Sequence, residues 1–141
     1  MRRPGVPAAL LAASACLTML AGCTKPVPSV TIQSGGTSLR SEPVQYKLDG
    51  KLRTNNSGAK VLTVRPGDIV NISVDKATRD AGWVVVLGGA KASPVIEDAF
   101  AYTLAVPSFN GVSDAPLAVF QQPPAGGEAD GAWVFTLHQN I

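Results

Sequence analysis

Few side chains in this 141-residue chain could do chemistry. The thiols are Cys16 and Cys23, the single imidazole is His138, and Glu97 and Asp98 are adjacent carboxylates. A zinc site would have to combine His138 with carboxylates, because three or four ligands are needed and no second histidine exists. On the last apolar run, His138 falls on the face opposite Trp133, Phe135 and Leu137, so it is expected to meet solvent. A serine hydrolase of the Gly-x-Ser-x-Gly kind is not encoded. As strand neighbours Glu97 and Asp98 would point to opposite faces, which is wrong for paired acid and base work. They read as a solvated turn. No glycine-rich loop precedes a helix to cradle a phosphate. No catalytic, metal-binding or cofactor-binding residue emerges, and the chain reads as a non-enzyme.

The thiol of Cys23 is the exception. Arg2 and Arg3 precede Val6 to Leu20, a mostly apolar run of 15 residues. That run suits a signal peptide and is shorter than the roughly 20 residues that span a bilayer. It ends in Leu20-Ala21-Gly22-Cys23, which resembles the lipobox of bacterial lipoproteins. The resemblance implies a diacylglyceryl thioether on Cys23 and cleavage between Gly22 and Cys23. Leu20, Ala21 and Gly22 would then be the signal-peptidase recognition residues, two of them small enough to leave the backbone accessible. One acyl chain of the palmitate type holds a protein marginally and two hold it almost permanently, at about 0.8 kcal/mol per buried methylene. The expected location is the extracytoplasmic face of the cell membrane. The expected organisation is a leader over residues 1–22, a lipidated cysteine and stiff Pro-containing spacer over 23–29, and one folded domain over 30–141.

Removal of that leader leaves 119 residues with ten basic and ten acidic side chains. A net charge near zero offers no footprint for nucleic acid. Cys16 leaves with the leader, so Cys23 stands alone and no intramolecular disulfide can form. The domain must be held by its core.

The rest of the chain has to build that core from short β-branched and aromatic runs separated by Gly, Pro, Asn and Asp. Val30 to Gln33 is a first strand, ended by Gly35-Gly36. Val44 to Lys47 and Lys51 to Thr54 form a hairpin. A three-residue loop with Gly50 left-handed would put Tyr46 opposite Leu52 and gather Val44, Tyr46 and Leu52 on one face. Val61 to Val64 leads into Arg65-Pro66-Gly67-Asp68, whose Pro-Gly centre suits a type II turn. Such a turn splays strands, so the chain is expected to step between sheets there. Val70, Ile72 and Val74 alternate with Asn71 and Ser73. Trp83 to Leu87 is apolar on both faces, as a central strand would be. Phe100, Tyr102, Leu104 and Val106 alternate with small residues, Leu117 to Phe120 is a short strand, and Trp133, Phe135 and Leu137 line one face of the last. Asp75 to Asp80 and Pro94 to Asp98 could each hold one helical turn. The longest soft connection, Gln121 to Gly131, reads as a hairpin loop, with binding as its alternative role.

The expected core is Trp83, Val85, Phe100, Tyr102, Leu104, Trp133, Phe135 and Leu137. Trp83 and Trp133 are better read as core than as the lining of a ligand site.

Val61 to Val74 resembles the strand-turn-strand segments of cupredoxins. Blue copper needs two His, a Cys and usually a Met. With one His, a lipidated Cys and both methionines (Met1 and Met19) in the leader, copper electron transfer is excluded on composition. A broader set of motifs is similar to an uncharacterised family of small actinobacterial lipoproteins, defined as a domain of unknown function. They are the lipobox, Pro43-Val44-Gln45-Tyr46, Val64-Arg65-Pro66-Gly67, Val70-Asn71-Ile72-Ser73-Val74, Gly82-Trp83-Val84-Val85 and Tyr102-Thr103-Leu104. Many members carry a cysteine directly after the tyrosine matching Tyr46, with a second nearby. Lys47 stands in that place here. The resemblance implies no activity, ligand or catalytic residue.

The fold expected is all-β, an immunoglobulin-like β-sandwich of seven to nine short strands, with a small β-barrel as the alternative. The function expected is a membrane-anchored cell-envelope lipoprotein with a non-enzymatic domain that binds an envelope protein partner. The alternative is a small carrier or sensor of an apolar ligand. A deep apolar pocket would favour the carrier and a flat exposed apolar patch would favour the partner.

Overall fold

A computed structural model describes residues 27–48, 50–122 and 129–140. The strands are β1 (Val30–Ser34), β2 (Thr37–Ser41), β3 (Gln45–Leu48), β4 (Lys51–Thr54), β5 (Lys60–Val64) and β6 (Ile69–Val74). One helix, α1 (Lys76–Ala81), follows, then β7 (Trp83–Leu87), β8 (Ala90–Lys91), β9 (Ala101–Ala105), β10 (Asp114–Gln121) and β11 (Gly131–Gln139). They form two unclosed sheets, a β-sandwich rather than a barrel. The first sheet has the order β2-β1-β6-β9. The second has the order β4-β3-β11-β10-β7-β8. In it β11 shares one edge between β3, which is antiparallel over its first two residues, and β5, which is parallel over its last five.

Alternation explains which strands form and which way they face. Val70, Ile72 and Val74 are buried while Ile69, Asn71 and Ser73 are exposed. Trp133, Phe135 and Leu137 are fully buried, as are Leu117 and Val119 on the neighbouring β10. With Val30, Ile32, Leu62 and Val64 these side chains fill the space between the sheets. At about 25 cal/mol per Å2 of apolar surface, that burial is what holds a domain with no disulfide. At Arg65 to Asp68 the Asp68 amide donates to the Arg65 carbonyl, and Gly67 has φ +88°. The chain does step between sheets at this turn, from β5 in one to β6 in the other.

Four expectations fail, each for a local reason. The described residues hold eleven strands rather than seven to nine, because β2 and β8 form without an apolar signature. β2 has Leu39 as its only large apolar residue and is defined by its pairing with β1. The β3–β4 hairpin pairs Tyr46 with Arg53 and Lys47 with Leu52, which leaves two residues in the turn rather than three. Gly50 is left-handed as expected, at φ +75°. Leu52, however, is 57% exposed, because β3 pairs with only the first two residues of β11 and the hairpin tip projects past the core. Phe100 precedes β9 instead of joining it, is 49% exposed, and lies under the Arg79 guanidinium, 4.6 Å from ring centroid to Cζ. Tyr102 is only partly buried against the core. Pro94 to Asp98 is not helical. Ile96 bridges to Trp83 there, and Asp98 has φ +54°.

Candidate functional site

The strands run from a proximal pole, where Pro28 and Ser29 join the domain, to a distal pole about 30 Å away along β11. Leu20, Ala21, Gly22 and Cys23 lie outside the described residues. At the proximal pole Trp133 Nε1 donates to the Pro28 carbonyl at 3.0 Å. Ser29 donates its amide to Asp75 Oδ2 at 2.8 Å. Asp75 is the N-cap residue of α1 but makes no capping bond, because its carboxylate is turned to Ser29. Trp83 Nε1 donates to the Ala99 carbonyl at 3.0 Å. Both tryptophans are thus fully buried core residues whose polar atoms bind crossing backbone, and neither lines a ligand site. Gly131 is required beside them, since a Cβ there would lie 2.8 Å from the Trp133 ring. The middle of the Gln121 to Gly131 connection, residues 123–128, lies outside the described residues, while Gln121 and Gly131 pair with each other.

A smaller depression of about 310 Å3 lies beside this pole, lined by Gln45, Lys47, Leu52, Phe120 and Asp130 among others. Its rim is charged. Burial first, and then the Asp130 carboxylate, raise the nearby Tyr46 hydroxyl above its ordinary pKa of 10.0.

The distal pole is different. The β7–β8 turn and the connection from β9 to β10 enclose an open groove of about 610 Å3. Leu87, Pro107, Phe109, Val112 and Pro116 are its apolar walls, with Gly88 and Gly89 on one lip. Val112 is 61% exposed, and together with Leu87, Pro107, Phe109 and Pro116 it makes a contiguous apolar lining rather than a lone exposed side chain. The wall is rigidly held. Gln139, 6% exposed, donates from Nε2 to the Pro107 carbonyl at 2.7 Å and accepts the Phe109 amide at 3.1 Å. Its own amide donates to the Ser113 carbonyl at 2.7 Å. Asn110 and Gly111, both left-handed, turn the tip, and the Gly88 amide ties the opposite lip to Pro116 at 2.9 Å.

The candidates for chemistry are scattered. His138 faces outward from β11, with ring nitrogens 2.6 Å from Asp114 Oδ1 and 3.2 Å from Asn140 Oδ1. Because Asp114 lines the groove, His138 stands at its polar rim. Glu97 and Asp98 are exposed near the proximal pole, away from His138. Among the described residues no group of three or more His, Cys, Asp or Glu could hold a metal ion, and no helix is long and apolar enough to cross a membrane.

The groove was missed in the sequence because its two lips are about twenty residues apart and meet only through the pairing of β7 with β10. The available signal was Phe109-Asn110-Gly111-Val112, two large apolar residues in a turn that no periodicity explains. Comparison with protein-family models, with curated proteins and with solved structures finds no match.

Proposed function

We propose that this chain is a cell-envelope lipoprotein, anchored by a diacylglyceryl group on Cys23, whose β-sandwich docks a protein partner in the distal groove. The observation that carries the reading is the open apolar groove at the pole opposite Pro28. Five residue steps separate Cys23 from Pro28, a reach of at most about 18 Å. A lipid on Cys23 would keep the proximal pole near the membrane and leave the groove facing outward. Partner docking fits an open groove with an exposed Val112 better than carriage of a ligand does, because the space between the sheets is filled by Trp83, Trp133 and Phe135. The carrier is the second reading, since the groove volume lies within the range of small-ligand sites. The resemblance to actinobacterial lipoproteins supports the anchor through its lipobox and is silent on the partner.

Two measurements test this. Fatty-acid labelling should mark the chain and be lost in Cys23→Ser. A photo-crosslinker at position 112 should capture a protein in intact cells, while one at Gln33, on the outer face of the first sheet, should not. Labelling that survives the substitution removes the anchor. Equal capture at both positions removes the groove.

A further inference from the structure

Among the described residues the two sheets expose five edge strands, and four of them are defended. β5, paired on one side only, starts with the exposed Lys60. β2 carries Arg40, and the ammonium of Lys60 bonds the Arg40 backbone carbonyl. β4 carries Lys51 and Arg53, both exposed. β8 is two residues long and includes Lys91. Charges and short length are the usual means of stopping an edge from recruiting another strand. β9, Ala101–Ala105, has neither charge nor proline.

The register shows what that edge offers. Phe100 accepts the Val74 amide, and Val106 donates to the Asp68 carbonyl. In an antiparallel pair these bonds fall on every second residue, so Tyr102 and Leu104 also turn their backbone groups toward β6. Ala101, Thr103 and Ala105 therefore turn theirs outward. Among the described residues, none of these outward groups has a hydrogen-bond partner. They present three donors and three acceptors, alternating at strand spacing. Only another extended peptide chain carries the matching order of groups. The side chains of these three residues are exposed and small, so nothing bulky guards the approach. Val106 follows the strand, and Pro107, the next residue, is already a wall of the distal groove.

We infer that β9 accepts an extended, uncharged peptide segment of a partner protein as a fifth, antiparallel strand. Running antiparallel, the segment has its N-terminal half beside Ala105. An apolar side chain one or two residues before the paired stretch then enters the groove between Leu87, Phe109 and Val112. Main-chain bonds supply the affinity and the groove supplies the selectivity, the division found where strands add to sheet edges. This inference rests on the docking reading and names the partner's chemistry.

The probe is a displayed library of random decapeptides, selected against the full chain in detergent micelles. Selected peptides should slow hydrogen exchange at the amides of Ala101, Thr103 and Ala105, which exchange quickly in the unbound protein. N-methylation of alternate peptide amides should weaken binding about tenfold or more, as loss of the edge bonds requires. Thr103→Pro, which removes one outward donor at a position where an edge strand tolerates proline, should weaken binding without methylation. The inference is overturned if the library yields no binder, if the slowed amides lie elsewhere, or if methylated and unmethylated peptides bind alike. Capture at position 112 with no slowing at β9 overturns this inference alone and leaves the groove. Slowing at β9 with no capture at 112 supports the edge and removes the groove from the proposed function.

Discussion

The two poles of the sandwich are closed by the same device and end as opposite surfaces. In both, a buried polar group on a core strand bonds the backbone of a segment crossing the end of the sandwich. At the proximal pole Trp133 holds Pro28 and Trp83 holds Ala99. At the distal pole Gln139 holds Pro107 and Phe109. The difference lies in what each crossing segment carries. Pro28 and Ser29 are buried and cover the core. The distal segment instead presents Phe109 and Val112 to its groove wall. The closing bond decides whether a segment is held, and the side chains it carries decide whether the pole is sealed or receptive.

The sharpest way to break this comparison is to remove the core both poles share. Phe135 is fully buried in the middle of β11. Phe135→Ala should cost about 3–5 kcal/mol, against a total of about 5–15 kcal/mol for a domain of ordinary stability. Chemical denaturation of the chain beginning at Thr24 should show one transition at much lower denaturant. Two separated transitions would mean that the poles are not one cooperative unit.

Gln139→Ala should act next most strongly and at one pole only. It removes two side-chain bonds and leaves the Pro107 carbonyl and Phe109 amide to water, a loss of about 1–2 kcal/mol. The Phe109 amide should exchange faster while the amides of β1 keep their protection. Capture from position 112 should fall, because the groove wall is no longer held. Unchanged capture would separate the groove from its clasp.

Asp75→Ala is the matching change at the proximal pole. Its carboxylate is exposed, so the bond to Ser29 is worth less, about 1 kcal/mol. The Ser29 amide should lose protection and the groove should be unaffected. A loss larger than that of Gln139→Ala would reverse the order of the two poles.

How much of this was legible follows from where each residue sits relative to the core. β6 and β11 alternate because both press one face on the core, so sequence and structure agree residue by residue. Leu52 misled because an apolar residue in a hairpin implies a core beneath it, and this hairpin overhangs β11. Phe100 misled in the same way, since its alternation with Tyr102 continues one residue beyond the strand and onto Arg79. β2 carried too little apolar pattern to be seen, and only its partner β1 defines it. The site was less legible than the fold. Its walls are turns, whose residues obey local backbone chemistry and carry no period. The free edge at β9 is equally silent, because an unpaired strand and a paired one read alike until the sheet order is known.

The smallest expected effect lies one residue from the Gln139 clasp. His138 and Gln139 are neighbours on β11, so their side chains leave opposite faces of the sheet. Gln139 is buried and its bonds are shielded. His138 is paired with Asp114 at 2.6 Å, but the two side chains are 34% and 59% exposed, and surface pairs of this kind contribute about 0–1 kcal/mol. His138→Ala should therefore shift the denaturation midpoint by the equivalent of less than about 0.5 kcal/mol. Its effect should appear in binding instead, because Asp114 lines the groove and would lose its partner there. A carboxylate at the rim that has lost its hydrogen-bond partner costs more to desolvate beneath an apolar occupant than one bonded to the imidazole. Capture from position 112 should fall in His138→Ala and recover when Asp114→Asn is added. A His138→Ala loss of stability exceeding that of Gln139→Ala would mean that the outward face of β11, not the buried clasp, holds the distal pole together.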